Sequence, residues 1–477
     1  MNGFMIQPSL AEYLAFAKDE GAIPVVGEIL ADFDTPMSAY WKLAHDEPHS
    51  FLLESVTGGE QVARYSVLGV RPRKIVTVQS GSRDDDPMRK VQSEVKQINP
   101  AAKHLIPPVV GSAVGVISYD YVRTVERLPD ANPDELGIPD VCFLITDVSV
   151  VFDHAKNRVL IIVLTDGSEA GYHAALDEID QIEERLRGPL PALPSETEQP
   201  ATVTANVSRE DFENSVRKVK EYIRQGDAFQ VVPSLRFQTE CGVHPLNLYR
   251  SLRSLNPSPY MFLLRLDGWD VIGASPELLV SLEDRTAKVR PIAGTRPRGA
   301  NEAEDIALGE ELLADEKERA EHTMLIDLGR NDIGRISEIG TVNVDAMMVI
   351  ERYSHVMHIV SNVSGQLRKG LDAIDLIRAT FPAGTLSGAP KIRAMEIIDE
   401  VETSRRGLYG GAVGILGAGG DCELAIAIRS IVLKGGTAYV QAGAGIVFDS
   451  EPAKEYDECV NKAKAPMRAI EAAQRGL

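Results

Sequence analysis

At 477 residues, with 44% hydrophobic and 25% charged residues, the chain is long enough for two or three ordinary domains or one large domain with a companion, and its composition is that of a globular protein. Fifty Lys and Arg against seventy Asp and Glu leave a net charge of −20, which opposes non-specific binding to nucleic acid or an anionic membrane yet permits a local basic pocket for an acidic small molecule. No apolar run approaches the roughly 20 residues of a membrane span, no signal-peptide pattern opens the sequence, and Cys142, Cys241, Cys422 and Cys459 are scattered without metal-site spacing, which predicts a cytoplasmic protein with reduced, buried thiols.

In chain order, residues 10–18 read as a helix and 50–56 as a strand closed by the turn Thr57-Gly58-Gly59, with further strands over 64–70 and 74–78. A polar loop rich in aspartate spans 80–87. Residues 111–119 and 141–151 are apolar and β-branched, and the latter is expected to pair with 158–164 across a turn at 153–157. An amphipathic helix over 169–186 follows. Several strands ahead of one helix predict an antiparallel α+β unit instead of a βαβ series. Four prolines between 188 and 206 mark a linker, 189–205, after an N-terminal region at 1–188.

Beyond the linker, Ser208 with Asp211 three positions on heads a helix over 209–225, which Gly226 closes. A strand over 229–237, a helix over 245–255 and a hairpin of 260–266 with 271–274 come next. Residues 289–292 lead into a glycine-containing loop. Leu308, Leu312, Ala320, Met324 and Leu328, spaced by multiples of four, predict one long amphipathic helix. Helices around 373–379 and over 391–402 flank a loop at 381–390. Strands over 408–416, 422–433 and 437–448 are separated by glycine-containing turns suited to antiparallel pairing, and Asp449-Ser450 can cap a final helix with Pro452 in its first turn.

Glu318 and Glu321 share a helix face with Leu325 and Leu328, so they line up with residues that should be buried, where uncompensated charge is expensive. Lys317 and Arg319 beside that face allow the alternative of a charged flank in solvent. The final helix repeats the interval: Glu451, Glu455, Glu458 and Lys462 share one face, opposite Tyr456, Val460, Ala463, Met467 and Ile470. If the acidic faces meet, carboxylates roughly 4 Å apart would repel by about 4 kcal/mol per pair at an effective dielectric of about 20. A hard cation such as Mg²⁺ removes that conflict.

Arg429 falls in the 422–433 strand on the side of Glu423, Ala425 and Ala427, opposite Leu424, Ile426 and Ile428. Such small neighbours suit a guanidinium that grips a carboxylate, and an exposed edge-strand arginine is the alternative. The glycines of Gln441-Ala442-Gly443-Ala444-Gly445 mark either the close approach of a ligand or a bulge. The run from Gly384 to Lys391 departs from a P-loop in its glycine spacing, yet it offers hydroxyls and N–H groups to an anion at a helix N-terminus. His355 and His358 have no third nitrogen or thiolate donor nearby, which favours an acid/base or orienting histidine over a zinc site.

Six motifs occur in order: Pro291 to Gly299, Glu318 to Arg335 with Asp327-Leu328-Gly329-Arg330-Asn331-Asp332, Phe381 to Lys391, Tyr409-Gly410-Gly411, Gln441 to Gly445, and Glu455-Tyr456-Asp457-Glu458 with Asn461-Lys462. Together they resemble the chorismate-utilising enzymes. The resemblance implies an α+β fold, with large, mostly antiparallel sheets forming a two-subdomain β-sandwich flanked by helices and a catalytic domain over 206–470. Members that use water as nucleophile, and commonly those that make aminodeoxychorismate, carry lysine where this chain has Ala293. Ala293 therefore implies the anthranilate-forming branch of tryptophan biosynthesis, in which chorismate and ammonia give anthranilate and pyruvate. Aminodeoxychorismate formation and a non-catalytic chorismate- or tryptophan-sensing subunit are the alternatives.

Carried over by position, the resemblance implies Mg²⁺ ligation by Glu321 and Glu458, with Glu318 and Glu455 beside them. Tyr409, Arg429 and the backbone of Gly443, Ala444 and Gly445 would hold the enolpyruvyl carboxylate, while Gly294, Thr295 and Lys462 complete the pocket. Glu277 is similar to the family's general acid, and His358 and Thr385 would serve the loss of pyruvate. Because no cysteine nucleophile with a matching histidine accompanies these motifs, a separate glutamine amidotransferase subunit and a hetero-oligomer, a heterotetramer, are implied. Leu52-Leu53-Glu54-Ser55 and Asn256-Pro257-Ser258-Pro259-Tyr260-Met261 resemble the tryptophan-binding elements, which points to Ser55, Pro257, Ser258 and Pro259 for feedback inhibition.

Overall fold

In the strand Ser50–Glu54 successive side chains point to opposite faces, yet Phe51, Leu52 and Leu53 are all apolar, so the strand needs cover on both sides. The computed structural model, which describes residues 5–55, 64–79, 86–107, 110–195, 202–353 and 356–476, supplies that cover with two large antiparallel sheets stacked face to face. Phe51 joins Phe262, Leu264 and Val271 of its own sheet and Val114, Val116, Leu144 and Ile415 of the other in the cluster between them. Leu52 joins the outer cluster under the helices Pro36–Ala44, Glu169–Arg187, Arg209–Gln225, Pro245–Leu255 and Pro452–Gln474. The outer face of the second sheet lies under Glu316–Gly334 and Ala373–Thr380. The result is an α+β sandwich of four layers. Among the described residues no helix is long and apolar enough to cross a membrane, and all four cysteines are buried and outside any disulfide.

Among the described residues the first sheet has 12 strands, and its middle runs Tyr65–Val70, Ser50–Glu54, Tyr260–Arg265, Trp269–Ser275, Ser430–Lys434, Thr437–Gly443 and Ser234–Glu240. The second, with 10 strands, runs through Val356–Gln366, Thr286–Val289, Leu278–Glu283, Cys422–Ile426, Ala412–Gly417, Gly111–Ile117 and Val141–Ile145. Residues before 188 and after 206 thus contribute to both sheets.

Three runs expected to be single strands are broken. Residues 141–151 divide into Val141–Ile145 in the second sheet and Val148–Asp153 in the first. Residues 422–433 divide in the same way into Cys422–Ile426 and Ser430–Lys434, so Arg429 does not continue the alternation of Glu423, Ala425 and Ala427. It sits between the sheets at φ 51°, a left-handed conformation uncommon for arginine. Residues 229–237 break before Ser234–Glu240, where Pro233 has no N–H to give to a ladder.

The expected long helix is also two. Glu302–Ala314 and Glu316–Gly334 meet at Asp315, whose extended backbone interrupts the first while its carboxylate accepts from the N–H groups of Lys317 and Glu318 and caps the second. The periodicity of the apolar residues continues through the break and hides it. The final helix, Pro452–Gln474, is preceded by Glu451 without a side-chain cap, while Ser450 Oγ accepts from Val447 N instead of capping. A hairpin of Asn343–Arg352 with Val356–Gln366 was not anticipated from the pattern. The turn at 57–59, most of the loop at 80–87, part of the linker and His355 lie outside the described residues.

Strand packing leaves no room at Gly115, where a Cβ would lie 2.1 Å from the Cys142 carbonyl oxygen and 2.6 Å from Phe143 Cα. Gly115→Ala is expected to lower the midpoint of thermal unfolding by several degrees or abolish soluble expression, consistent with an overpacking penalty of about 1–3 kcal/mol or more. A parent-like midpoint in a thermal melt would contradict this packing.

Candidate active site

Two of the places where the chain changes sheets lie side by side. Between Trp269–Ser275 and Leu278–Glu283 stands Glu277, and between Cys422–Ile426 and Ser430–Lys434 stands Arg429. Ile426 N donates to the Glu277 carbonyl at 3.0 Å and Ala274 N to the Arg429 carbonyl at 3.2 Å. Both side chains line one cavity of about 520 Å³. Thr385 Oγ1 donates to Glu277 Oε1 at 2.9 Å. Burial pushes the Glu277 carboxyl up to about 7, against the opposing pull of Thr385, Arg429 and Lys462. Burial pulls the Arg429 guanidinium down, offset by Tyr409, Glu277 and Glu458, and it makes no ion pair among the described residues.

The opposite wall is acidic. Glu318 and Glu321 from Glu316–Gly334 and Glu455 and Glu458 from Pro452–Gln474 all line this cavity, so the two acidic faces border the same space. Burial and then the Glu321 charge push the Glu318 carboxyl up, and burial raises Glu455 with Glu458 adding to it. Gln230 Nε2 donates to Glu321 Oε1 at 3.1 Å, a contact that no sequence signal indicated. Lys462 Nζ lies 2.7 Å from Glu458 Oε1 and donates to the Gly443 carbonyl at 3.0 Å.

His358 comes from the unanticipated hairpin, with Nδ1 2.9 Å from the Gly294 carbonyl and 3.1 Å from Thr295 Oγ1. That bond makes Nδ1 the protonated nitrogen and leaves Nε2 with its lone pair. Burial holds the imidazole below its ordinary pKa. The ladder shifts register between Ala293 and Thr295, a bulge that turns this segment into the cavity. Gly294 has φ 64°, and a Cβ there would lie 2.9 Å from Leu312 Cδ1 and 3.1 Å from Glu318 Oε2. The turn Gly384–Ser387 is seated directly on the acidic helix, since a Cβ on Gly384 would fall 1.9 Å from Leu328 Cδ2.

Tyr409, Gly443 and Gly445 also line the cavity, beside Ala293. Ala444 does not: it is buried and its N–H is spent on the Pro233 carbonyl at 3.2 Å, so its backbone donor is not available to a ligand. Lys391 points away from the cavity and is held by Asp332 at 2.7 Å and the Thr380 carbonyl at 3.1 Å.

A second cavity, of about 510 Å³, opens between the sheets and is lined by Glu54, Ser55, Pro259, Tyr260, Met261, Lys288, Val413, Ile415 and Glu423. Among the described residues the buried Ser55 Oγ has no hydrogen-bond partner. Burial, with Glu283 adding, pushes the Glu423 carboxyl up to about 7. Pro257 and Ser258 are not in its lining, and Ser258 donates to the Asn256 carbonyl at 3.3 Å.

The chain belongs to the chorismate-binding enzyme family, whose model matches residues 48–468. Within that family it is similar to proteins named anthranilate synthase component 1: it is 49% identical to that of Pseudomonas aeruginosa, over 98% of this chain and 99% of the relative. The protein of that name from Thermus thermophilus is 48% identical over 94% of this chain and 98% of its own length. The crystal structure of anthranilate synthase component I from Streptococcus pneumoniae superposes with a TM-score of 0.78 at 41% identity, covering 85% of this chain and 92% of that one. The menaquinone-specific isochorismate synthase of Escherichia coli shares the fold, at a TM-score of 0.73 and 18% identity over 98% of this chain and all of the other.

A carboxyl whose pKa is raised on folding holds its proton more tightly in the native state than in the unfolded chain, so stability falls as pH rises from the ordinary carboxyl range through the folded value of about 7. Glu277→Gln removes that loss. The variant's melting temperature should gain on the parent's as pH rises from about 4.5 to about 7 and level off above that, and a difference independent of pH would show that Glu277 is not held protonated.

Proposed function

We infer that this chain converts chorismate and ammonia to anthranilate, pyruvate and water. The observation that carries the reading is the presence, in one cavity, of an unpaired guanidinium, a carboxyl poised near neutrality and four carboxylates on two facing helices. Chorismate is a compact dianion with a carboxylate on the ring and another on the enolpyruvyl arm, and about 520 Å³ falls within the range of small-molecule sites. Ala293 in the wall can neither activate water nor attack the ring, which supports ammonia as the nucleophile over the water-using chemistry of lysine-bearing relatives.

The acidic wall suits Mg²⁺. Among the described residues no three His, Cys, Asp or Glu side chains are gathered closely enough to enclose an ion. A partial, all-oxygen set fits a cation that binds through one or two carboxylates and completes its shell with water and substrate. Glu321 and Glu458 would hold it, with Glu318 and Glu455 beside them, and once bound it would draw charge from the ring carboxylate. Arg429 and Tyr409, with Gly443 and Gly445, grip the enolpyruvyl carboxylate. Glu277 gives its proton to the ring hydroxyl, which leaves as water while ammonia forms the new C–N bond and sheds a proton. His358 then takes a ring proton as the enolpyruvyl C–O bond breaks and the ring becomes aromatic, and the departing enolate takes up a proton at its methylene carbon to give pyruvate, with Thr385 beside the leaving group.

Ammonia would come from glutamine on a separate amidotransferase subunit, in a cytoplasmic hetero-oligomer. The second cavity suits tryptophan: Glu423 and Lys288 in its lining can meet an amino-acid zwitterion, and Met261, Val413 and Ile415 offer an apolar seat for the indole.

Chorismate, Mg²⁺ and an ammonium salt, supplied without any partner, should yield anthranilate fluorescence that a chelator abolishes and whose rate declines above about pH 7 as Glu277 loses its proton. Silence from folded protein with intact chorismate would overturn the reading. Glu458→Ala should lose roughly 10²-fold or more in turnover without unfolding, and near-parent activity would remove the metal assignment. Ser55→Ala should weaken inhibition by tryptophan while leaving chorismate turnover unchanged, and an unaltered inhibition curve would count against the second cavity.

A further inference from the structure

Arg406 is among the largest fully buried side chains, at 1% exposure, and it does not itself line the cavity. Its Nη1 donates to the Leu386 carbonyl at 2.7 Å, and Nη2 donates to the Val232 carbonyl at 2.6 Å and to Glu402 Oε1 at 2.6 Å. Nε completes a two-point grip on Glu402, at 3.1 and 3.0 Å from its oxygens. The Tyr119 and Tyr409 rings lie 4.6 and 5.5 Å from the guanidinium. Glu402 in turn accepts from Ser234 N at 2.8 Å and Ser234 Oγ at 2.7 Å, at the head of the strand that pairs with Thr437–Gly443.

Three of these partners, Val232, Leu386 and Tyr409, are cavity walls, and Leu386 follows Thr385 in the turn that reaches Glu277. A buried ion pair is weak grounds for stability, because apolar residues of similar volume often serve as well. What a planar fork with five fixed donors does supply is direction. It sets two carbonyls, one carboxylate and the Tyr409 ring relative to each other, and works beside the backbone bond from Val232 N to the Ser387 carbonyl at 3.0 Å that joins two of these segments.

We propose that Arg406, locked by Glu402, is a positioning residue for the reaction: it fixes the Thr385–Leu386 turn and the Tyr409 ring against the strand break at Val232, so that Glu277 and the carboxylate grip keep their spacing. This rests on the chorismate reading above. A displacement of such groups by about 1 Å is enough for a roughly 10²-fold loss of rate.

The test uses the full chain with chorismate, Mg²⁺ and ammonium salt, the parent being assayed alongside. A parent that makes no anthranilate refutes the chorismate reading itself. With an active parent, the double variant Arg406→Met with Glu402→Leu, which removes the charges as a pair, should keep its circular dichroism spectrum. Its chorismate KM should rise by roughly 10-fold or more, its kcat should fall by roughly 10²-fold, and the alkaline limb of its kcat–pH profile should move as the Thr385 bond to Glu277 loosens. Arg406→Lys should recover part of the loss. A folded double variant with the parent's KM, kcat and pH profile overturns the proposal. Should that variant not fold, Tyr119→Leu, which strips one ring from the guanidinium, must shift the pH profile in the same direction, and a parent-like profile there overturns it equally.

Discussion

A strand that leaves one sheet for another must give up its ladder for two or three residues, and this molecule places two such breaks against each other. Each break holds the other's carbonyl, Ile426 N to Glu277 O and Ala274 N to Arg429 O, so the two crossovers act as one joint between the sheets. The left-handed backbone at Arg429 belongs to that joint. Because both breaks open into the interior of a sandwich, the polar side chains they carry cannot escape to water. Burial then shifts both in the direction of neutrality, the carboxyl upward and the guanidinium downward. The catalytic potential of the site follows from topology first and residue choice second.

Around the joint, charge is sorted by element. Cationic Arg429 stands on the sheet side, while the carboxylates come from two helices, Glu316–Gly334 and Pro452–Gln474, that approach from the outer layers. Such an arrangement matches a ligand with two negative ends only if a cation joins the acidic side. Lys462 goes part of the way, yet it is committed to Glu458 and the Gly443 carbonyl. The overall charge of −20 therefore says little about the ligand, since the sign that matters is local.

Much of this was legible in sequence where the signal is periodic. The helix faces carrying Glu318, Glu321, Glu455 and Glu458 follow from three- and four-residue spacing, and the helices Arg209–Gln225 and Pro245–Leu255 fall where their caps and prolines put them. The breaks were not legible, because strands buried on both faces read as unbroken apolar runs and nothing in 141–151 or 422–433 marks the change of sheet. Arg429 was singled out on an alternation that the backbone does not keep, and its role depends on the turn instead. Gln230 and Arg406 carry no local signature at all. Their partners, Glu321 and the Leu386 and Val232 carbonyls, come from distant segments.

The interleaving of the sheets bears on how the protein is made. Ser50–Glu54 is hydrogen-bonded on one side to Tyr65–Val70, which emerges soon after it, but its other neighbour is Tyr260–Arg265. Gly111–Ile117 likewise waits for Ala412–Gly417. On the ribosome the first half of the chain must therefore carry open, apolar strand edges until much of the second half has been synthesised, a state prone to pairing with other nascent chains. Fragments cut at the proline-rich segment would each lack the missing strands of both sheets, and so would find their native partners only in each other.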